Sequence, residues 1–355
     1  MRRWFHTRLH PAWYQGYRAR PPHFEGWYFK LIDLSERHRY AVIPGIFLSQ
    51  GTGHAFVQVL DGVTGETTYH EYPADAFQAA EDRFDIRVGP NRFTSEQIEL
   101  QIASAERTVT GTLRFSGLTP WPVTLLSPGI MGWYAWVPRM ECYHGVLSFD
   151  HEIHGALTVD RQAIDFSAGR GYIEKDWGRS FPAAWAWTQT NHFERPGTSL
   201  TASIAIIPWM SSSFLGFIIG LWHERRLYRF TTYTGAQVEK LAVEENHVGW
   251  VVRDRRYRLE IEVHRDGSFR TGVLRGPTGL DMGGRVPESL QAQVSLRLST
   301  VLGGNTIFEG IGRNAGLEIV GELAALHQPH NRCPDVRGVY FAGCTTQPGG
   351  SADGD

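Results

Sequence analysis

Two carboxylates, a lysine, an arginine and three tryptophans crowd into one short span near the middle of the chain. They are Glu174, Lys175, Asp176, Trp177 and Arg179, then Trp185 and Trp187, followed by the amides of Gln189 and Asn191. Side chains alternate across an extended backbone, so Tyr172, Glu174 and Asp176 share one face while Ile173, Lys175 and Trp177 share the other. The same rule sets Trp185, Trp187, Gln189, Asn191 and Phe193 against Ala186, Thr188, Thr190 and His192. Indoles alternating with amides suit the wall of an apolar cavity that holds a ligand with a few polar atoms. The plainer alternatives are a core strand with hydrogen-bonded amides, and a salt bridge of Glu174 or Asp176 with Lys175 or Arg179.

The elements around this span read as strands. Ile98, Leu100 and Ile102 alternate with polar residues, as do Leu290, Ala292, Val294, Leu296 and Leu298, which is the pattern of half-buried antiparallel strands. Many such short segments, with turns such as Asp61-Gly62 and Arg265-Asp266-Gly267, point to an all-β protein. Residues 236–245 are the best candidate for a short helix. The strands fall into two sets, giving an N-terminal arm at 1–20, one β-domain at 21–165, a second at 166–325 that carries the dense motif, and a disordered tail at 326–355.

Composition narrows the function. The 355 residues are long enough for two cores, and a net charge of -2 gives no footprint for nucleic acid. The 12 tryptophans must be buried or used to grip something. Cys142, Cys333 and Cys344 are scattered, which favours a reducing compartment over a disulfide framework. No phosphate-binding glycine loop and no nucleophile elbow is present. His151 and His154 are spaced three apart, one short of the zinc-helix motif, so no metal site is expected. The first residues do not read as a leader, and the apolar run 214–222 is shorter than the roughly 20 residues a membrane helix needs. The expectation is a cytoplasmic protein, with contact at a membrane surface left open.

Several blocks together resemble the tocopherol cyclase family, and its compact bacterial branch most closely. They are Phe24-Glu25-Gly26-Trp27-Tyr28-Phe29, Met140-Glu141-Cys142-Tyr143-His144-Gly145, Gly171-Tyr172-Ile173-Glu174-Lys175-Asp176-Trp177-Gly178, Trp187-Thr188-Gln189-Thr190-Asn191-His192-Phe193, Leu274-Arg275-Gly276-Pro277-Thr278 and Asn314-Ala315-Gly316-Leu317-Glu318. The resemblance implies two lipocalin-like β-barrels side by side. It also implies a cofactor-free reaction in which an acid protonates the alkene of a prenylated hydroquinone and a phenol oxygen traps the cation as a chromanol ring.

A carboxyl among apolar neighbours keeps its proton because its anion is poorly solvated, which makes Glu174 the first choice of acid, with Asp176 and Lys175 beside it as catalytic candidates. Trp177, Trp185 and Trp187 would face the cation, and Arg179, Gln189 and Asn191 would hold the ring oxygens. Glu25, Trp27, Glu141, Tyr143 and His144 are further candidates from the first half, or polar plugs at the junction. The partner is then a hydrophobic small molecule. Two alternatives need the same pocket: a non-catalytic carrier of an isoprenoid lipid, and a hydratase or cyclase of another terpenoid. Oligomeric state stays open.

Overall fold

The computed structural model describes residues 6–51, 53–209, 212–322 and Leu326; Cys333, Cys344 and most of the tail lie outside these. Two large antiparallel sheets make up the protein. The first contains β1 (His23–Ile32), β2 (Arg39–Leu48), β3 (His54–Asp61), β4 (Thr67–Pro73), β5 (Phe77–Ala79), β6 (Asp85–Val88), β7 (Asn91–Thr94), β8 (Gln97–Ala103), β9 (Thr108–Ser116), β10 (Cys142–Val159), β11 (Gln162–Asp165) and β12 (Gly169–Gly178). The second contains β13 (Trp185–Thr190), β14 (Thr198–Trp209), β15 (Ser212–His223), β16 (Arg226–Thr231), β17 (Gln237–Glu244), β18 (His247–Arg253), β19 (Tyr257–His264), β20 (Gly272–Pro277), β21 (Met282–Thr300) and β22 (Thr306–Val320). Among the described residues no helix is long and apolar enough to cross a membrane.

The sheets repeat one plan. The first runs β4-β3-β2-β1-β12-β10-β9-β8-β7-β6-β5 and the second β16-β15-β14-β13-β22-β21-β19-β18-β17, so in each the first strand pairs with the last. In each a short extra strand, β11 or β20, pairs with the neighbour of that last strand. Neither ladder closes: the edge strands β4 and β5, and likewise β16 and β17, are joined by single-turn helices (Ala74–Ala76 and Thr232–Thr234) instead of pairing. Each sheet still wraps its own core. Phe29, Val57, Ile86, Phe93, Leu113 and Ile173 fill the first, while Ala186, Ile204, Ile219, Trp250, Leu296 and Leu317 fill the second.

Strands buried on one face show the expected alternation, as in β8, where Ile98, Leu100 and Ile102 are buried and Gln101 is exposed. β1, β12 and β13 are buried on both faces instead. One face of each packs on its own sheet's core; the other packs into a third cluster that holds Tyr28, Tyr172, Trp185, Trp187, Val286 and Val320 from both sheets. That shared cluster is the junction.

Two expectations need correction. Residues 236–245 form β17, not a helix: a bulge between Val238 and Lys240 shifts the register by one, which turns the helix-like spacing of Val238 and Leu241 into one face of a strand. The dense motif does not enter the second sheet. Its strand β12 is hydrogen-bonded between β1 and β10 in the first, and the chain crosses over between Gly178 and Trp185.

Candidate active site

The pleat of β12 sends Tyr172, Glu174 and Asp176 into the junction. Strand pairing sets Tyr28 opposite Glu174, and Gly26 and His144 on either side of Asp176. Gly26 leaves its position open, since a Cβ there would touch only Ile43 at 3.7 Å. From the other sheet, β22 presents Glu318, paired with Trp187 of β13 on one side and with Glu288 of β21 on the other. Between these surfaces lies a cavity of about 190 Å³.

Its walls are largely apolar: Phe24, Phe56, Phe181, Trp185, Trp187, Leu274 and Met282 among others, with Met131 and Tyr134 descending from the 119–138 loop. That loop is strapped across the junction by Tyr233, whose hydroxyl donates to Ile130 O at 2.8 Å. The ionisable groups on the walls include His144, Glu174, Asp176 and Glu318.

These groups are tied to one another. Tyr172 donates its hydroxyl to Glu174 Oε2 at 2.5 Å, with Thr201 Oγ1 3.2 Å from the same phenol oxygen. His144 Nδ1 lies 2.8 Å from Asp176 Oδ1 and its Nε2 3.6 Å from Glu174 Oε2. Burial opposes the imidazolium, but Asp176 and then Glu174 outweigh it and hold His144 up at about 9. Burial pushes Glu174 up to about 7 against the pull of His144, with Asp176 adding to the rise. Glu318 accepts from Trp185 Nε1 at 2.7 Å, and burial raises it to about 8, with a further rise from Glu174. Behind it, burial and the neighbouring Glu318 raise Glu288 well above its ordinary value, and the hydroxyl of Tyr28 donates to its Oε1. A buried carboxyl beside other carboxyls is cheaper to keep protonated than to ionise, so this wall stores protons at neutral pH.

Of the residues singled out in the sequence, Glu174, Asp176, His144, Trp185 and Trp187 line the cavity. Lys175, Glu25, Trp27 and Trp177 do not: the pleat turns them to the opposite face of β1 and β12 from Glu174. There Lys175 Nζ sits 2.7 Å from Glu25 Oε2, donates to Trp13 O at 2.6 Å, and lies 4.5 and 4.8 Å from the ring centres of Trp27 and Trp177. Lys175, Glu25 and Trp27 anchor the arm formed by residues 6–20: Glu25 accepts from Gln15 N, and Trp27 Nε1 donates to Ala12 O.

Tyr143 stacks on Trp177 and donates to Val137 O at 2.6 Å, again off the cavity. Glu141 and Arg179 also lie off its lining; the backbone of Arg179 donates to Glu141 O at 2.8 Å, and burial raises the Glu141 carboxyl. Gln189 and Asn191 do face the first sheet, as alternation requires, but they fasten it. Gln189 accepts from Lys30 Nζ through Oε1 at 2.7 Å, and Asn191 donates to Asp150 Oδ1 and Gly171 O at 2.9 Å each. Phe193, beyond the end of β13, turns into the second core.

Sequence reasoning gave no role to Glu318, Glu288, Tyr28 or Lys30. A carboxylate inside the apolar run Leu317-Glu318-Ile319-Val320 was the available signal, and Glu318 stood only as part of a family block.

A family model described as "Tocopherol cyclase-like" matches residues 118–321. The chloroplastic tocopherol cyclase of Zea mays is 29% identical over 110 residues, 29% of this chain and 23% of that protein. A probable chloroplastic tocopherol cyclase of Oryza sativa subsp. japonica is 28% identical over 119 residues, 32% of this chain and 25% of that protein. The matches thus span about a quarter of the length of these curated relatives. Among solved structures, the crystal structure of CghA with Sch210972 superposes with a TM-score of 0.54 at 11% identity, covering 85% of this chain and 89% of that one. At that identity the likeness supports a shared fold of two lipocalin-like sheets.

Proposed function

The chain belongs to the tocopherol cyclase-like family, and from that premise we propose that it closes a chromanol ring on a prenylated hydroquinone by protonating the prenyl alkene. Each sheet with its core is taken as one domain, with the reaction between them. The observation that carries this reading is Glu174. Its carboxyl is buried against an apolar cavity, one oxygen is engaged by Tyr172, and Oε1 makes no hydrogen bond among the described residues. A proton on Oε1 is free to meet an alkene.

Glu174 gives that proton to the less substituted alkene carbon, so the π bond breaks, a C–H bond forms and a tertiary cation is left. A phenol oxygen of the same molecule attacks the cation and forms the C–O bond. The phenol proton passes to the carboxylate that Glu174 became in the first step, which restores the acid. Atoms and electrons balance with nothing oxidised. The faces of Trp185 and Trp187 stabilise the cation, by about 0.5–2 kcal/mol each, before capture, and the dry walls keep water from competing for it. Asp176 fixes His144, whose charge keeps Glu174 acidic enough to let its proton go.

A carrier of the same lipid would need the apolar walls and no acid. The core of each sheet is packed with side chains, so the space for a ligand coincides with the ionisable cluster, which favours catalysis. Incubating the purified protein with a prenylated hydroquinone should yield chromanol by chromatography. Glu174→Gln should bind the substrate equally well and lose turnover by about 10²–10⁴-fold. Tight binding without any product in the wild type would favour the carrier, and a hydrated alcohol as the product would make the enzyme a hydratase.

A further inference from the structure

We propose that the second sheet carries, on its outer face and apart from the cavity, a divalent-metal site of zinc type built from His247, Glu262 and His264. In the pairing of β18 with β19, His247 stands directly opposite His264 and Gly249 directly opposite Glu262. Residues two apart on one strand share a face with their cross-strand partners, so all three side chains rise from one side of the sheet. His247 Nε2 lies 2.6 Å from Glu262 Oε2, the two imidazole rings stack 4.5 Å apart, and one donor atom from each residue falls within 4.8 Å of the others.

Gly249 supplies the second observation. A Cβ at that position would stand 2.8 Å from Glu262 Oε2, so glycine leaves to the carboxylate the space in which it lies across the strands towards His247. Two imidazoles and one carboxylate form a zinc donor set that leaves the fourth position to water. Bonds of about 2.0–2.2 Å in a tetrahedron put donors about 3.3–3.6 Å apart. His247 and Glu262 therefore separate slightly and His264 closes in, which partly exposed side chains accomplish by rotation. None of the three lines the cavity, so the metal would clamp β18 to β19 beside the edge strand β17 without entering the reaction.

Chelator-treated full-length protein titrated with zinc should take up one tight equivalent by calorimetry, show the tetrahedral absorption bands with cobalt(II), and gain thermal stability with zinc. His264→Gln should weaken zinc binding by at least about tenfold, and Gly249→Ala, which removes no ligand, should weaken it too by displacing Glu262. Both variants should keep the wild-type circular dichroism. No saturable zinc binding, or unchanged binding in His264→Gln and Gly249→Ala, would overturn the proposal.

Discussion

Glu174, Glu318 and His144 give pH a consistent direction. All three have folded-state pKa values above their ordinary ones, at about 7, 8 and 9. A group raised in the folded state contributes stability that is whole below its unfolded pKa and is lost as pH climbs through the folded value. Urea unfolding should therefore show stability falling from about pH 5 towards pH 9, with the slope reduced in Glu318→Gln. Turnover should fall on the alkaline side as Glu174 loses its proton, with an apparent value that belongs to the coupled cluster and not to one residue.

Lys175 shows how far the residue scale was legible. A pleat of period two was enough to set it on the face opposite Glu174, yet its partner Glu25 lies 150 residues earlier and is brought near only by the pairing of β1 with β12. Lys175→Met should lower stability, by about 3 kcal/mol at most, because Glu25 stays buried with only His23 and the Gln15 N–H to hold it. The double variant with Glu25→Gln should recover much of that in thermal denaturation. A lysine that acted on the substrate would instead lose turnover with stability intact.

At the level of elements, alternation marked most strands, because one face of each meets a core and the other meets water. It failed where that premise fails. A bulge in β17 imitates helical spacing, and β12, buried on both faces, gives no sign of which sheet it joins. Glu318 and Glu288 were hidden for the same reason: their strands meet β13 and each other only once the second sheet has folded. The 119–138 loop offers a direct test of an element. Gly132 has φ +57°, and a Cβ there would stand 2.5 Å from the ring of Tyr233, so only glycine lets the loop lie flat over the cavity. Gly132→Ala should lift Met131 and Tyr134 from the wall, raising KM with little loss of melting temperature. Equal KM values would show that the loop does not help to bind the substrate.

For the whole molecule, the repeated strand order explains why the sequence has two runs of strands in the same rhythm and why the chemistry lies between them. Each sheet uses its interior for packing, so the surface left for a ligand is the one the two sheets share. Lys30 makes that junction specific: its ammonium donates to Gln189 Oε1, Gln189 O and Asn314 O, all on the second sheet. Glu174 comes from one sheet and Trp185 and Trp187 from the other, so neither half holds the whole cavity wall.

The most direct measurement is turnover of a prenylated hydroquinone in deuterium oxide, with the chromanol read by NMR. Proton donation from Glu174 should place one deuterium on the ring carbon derived from the less substituted alkene carbon, and Glu174→Gln should form no labelled product. Chromanol without deuterium at that carbon, or labelled at the wild-type rate by Glu174→Gln, would contradict the account.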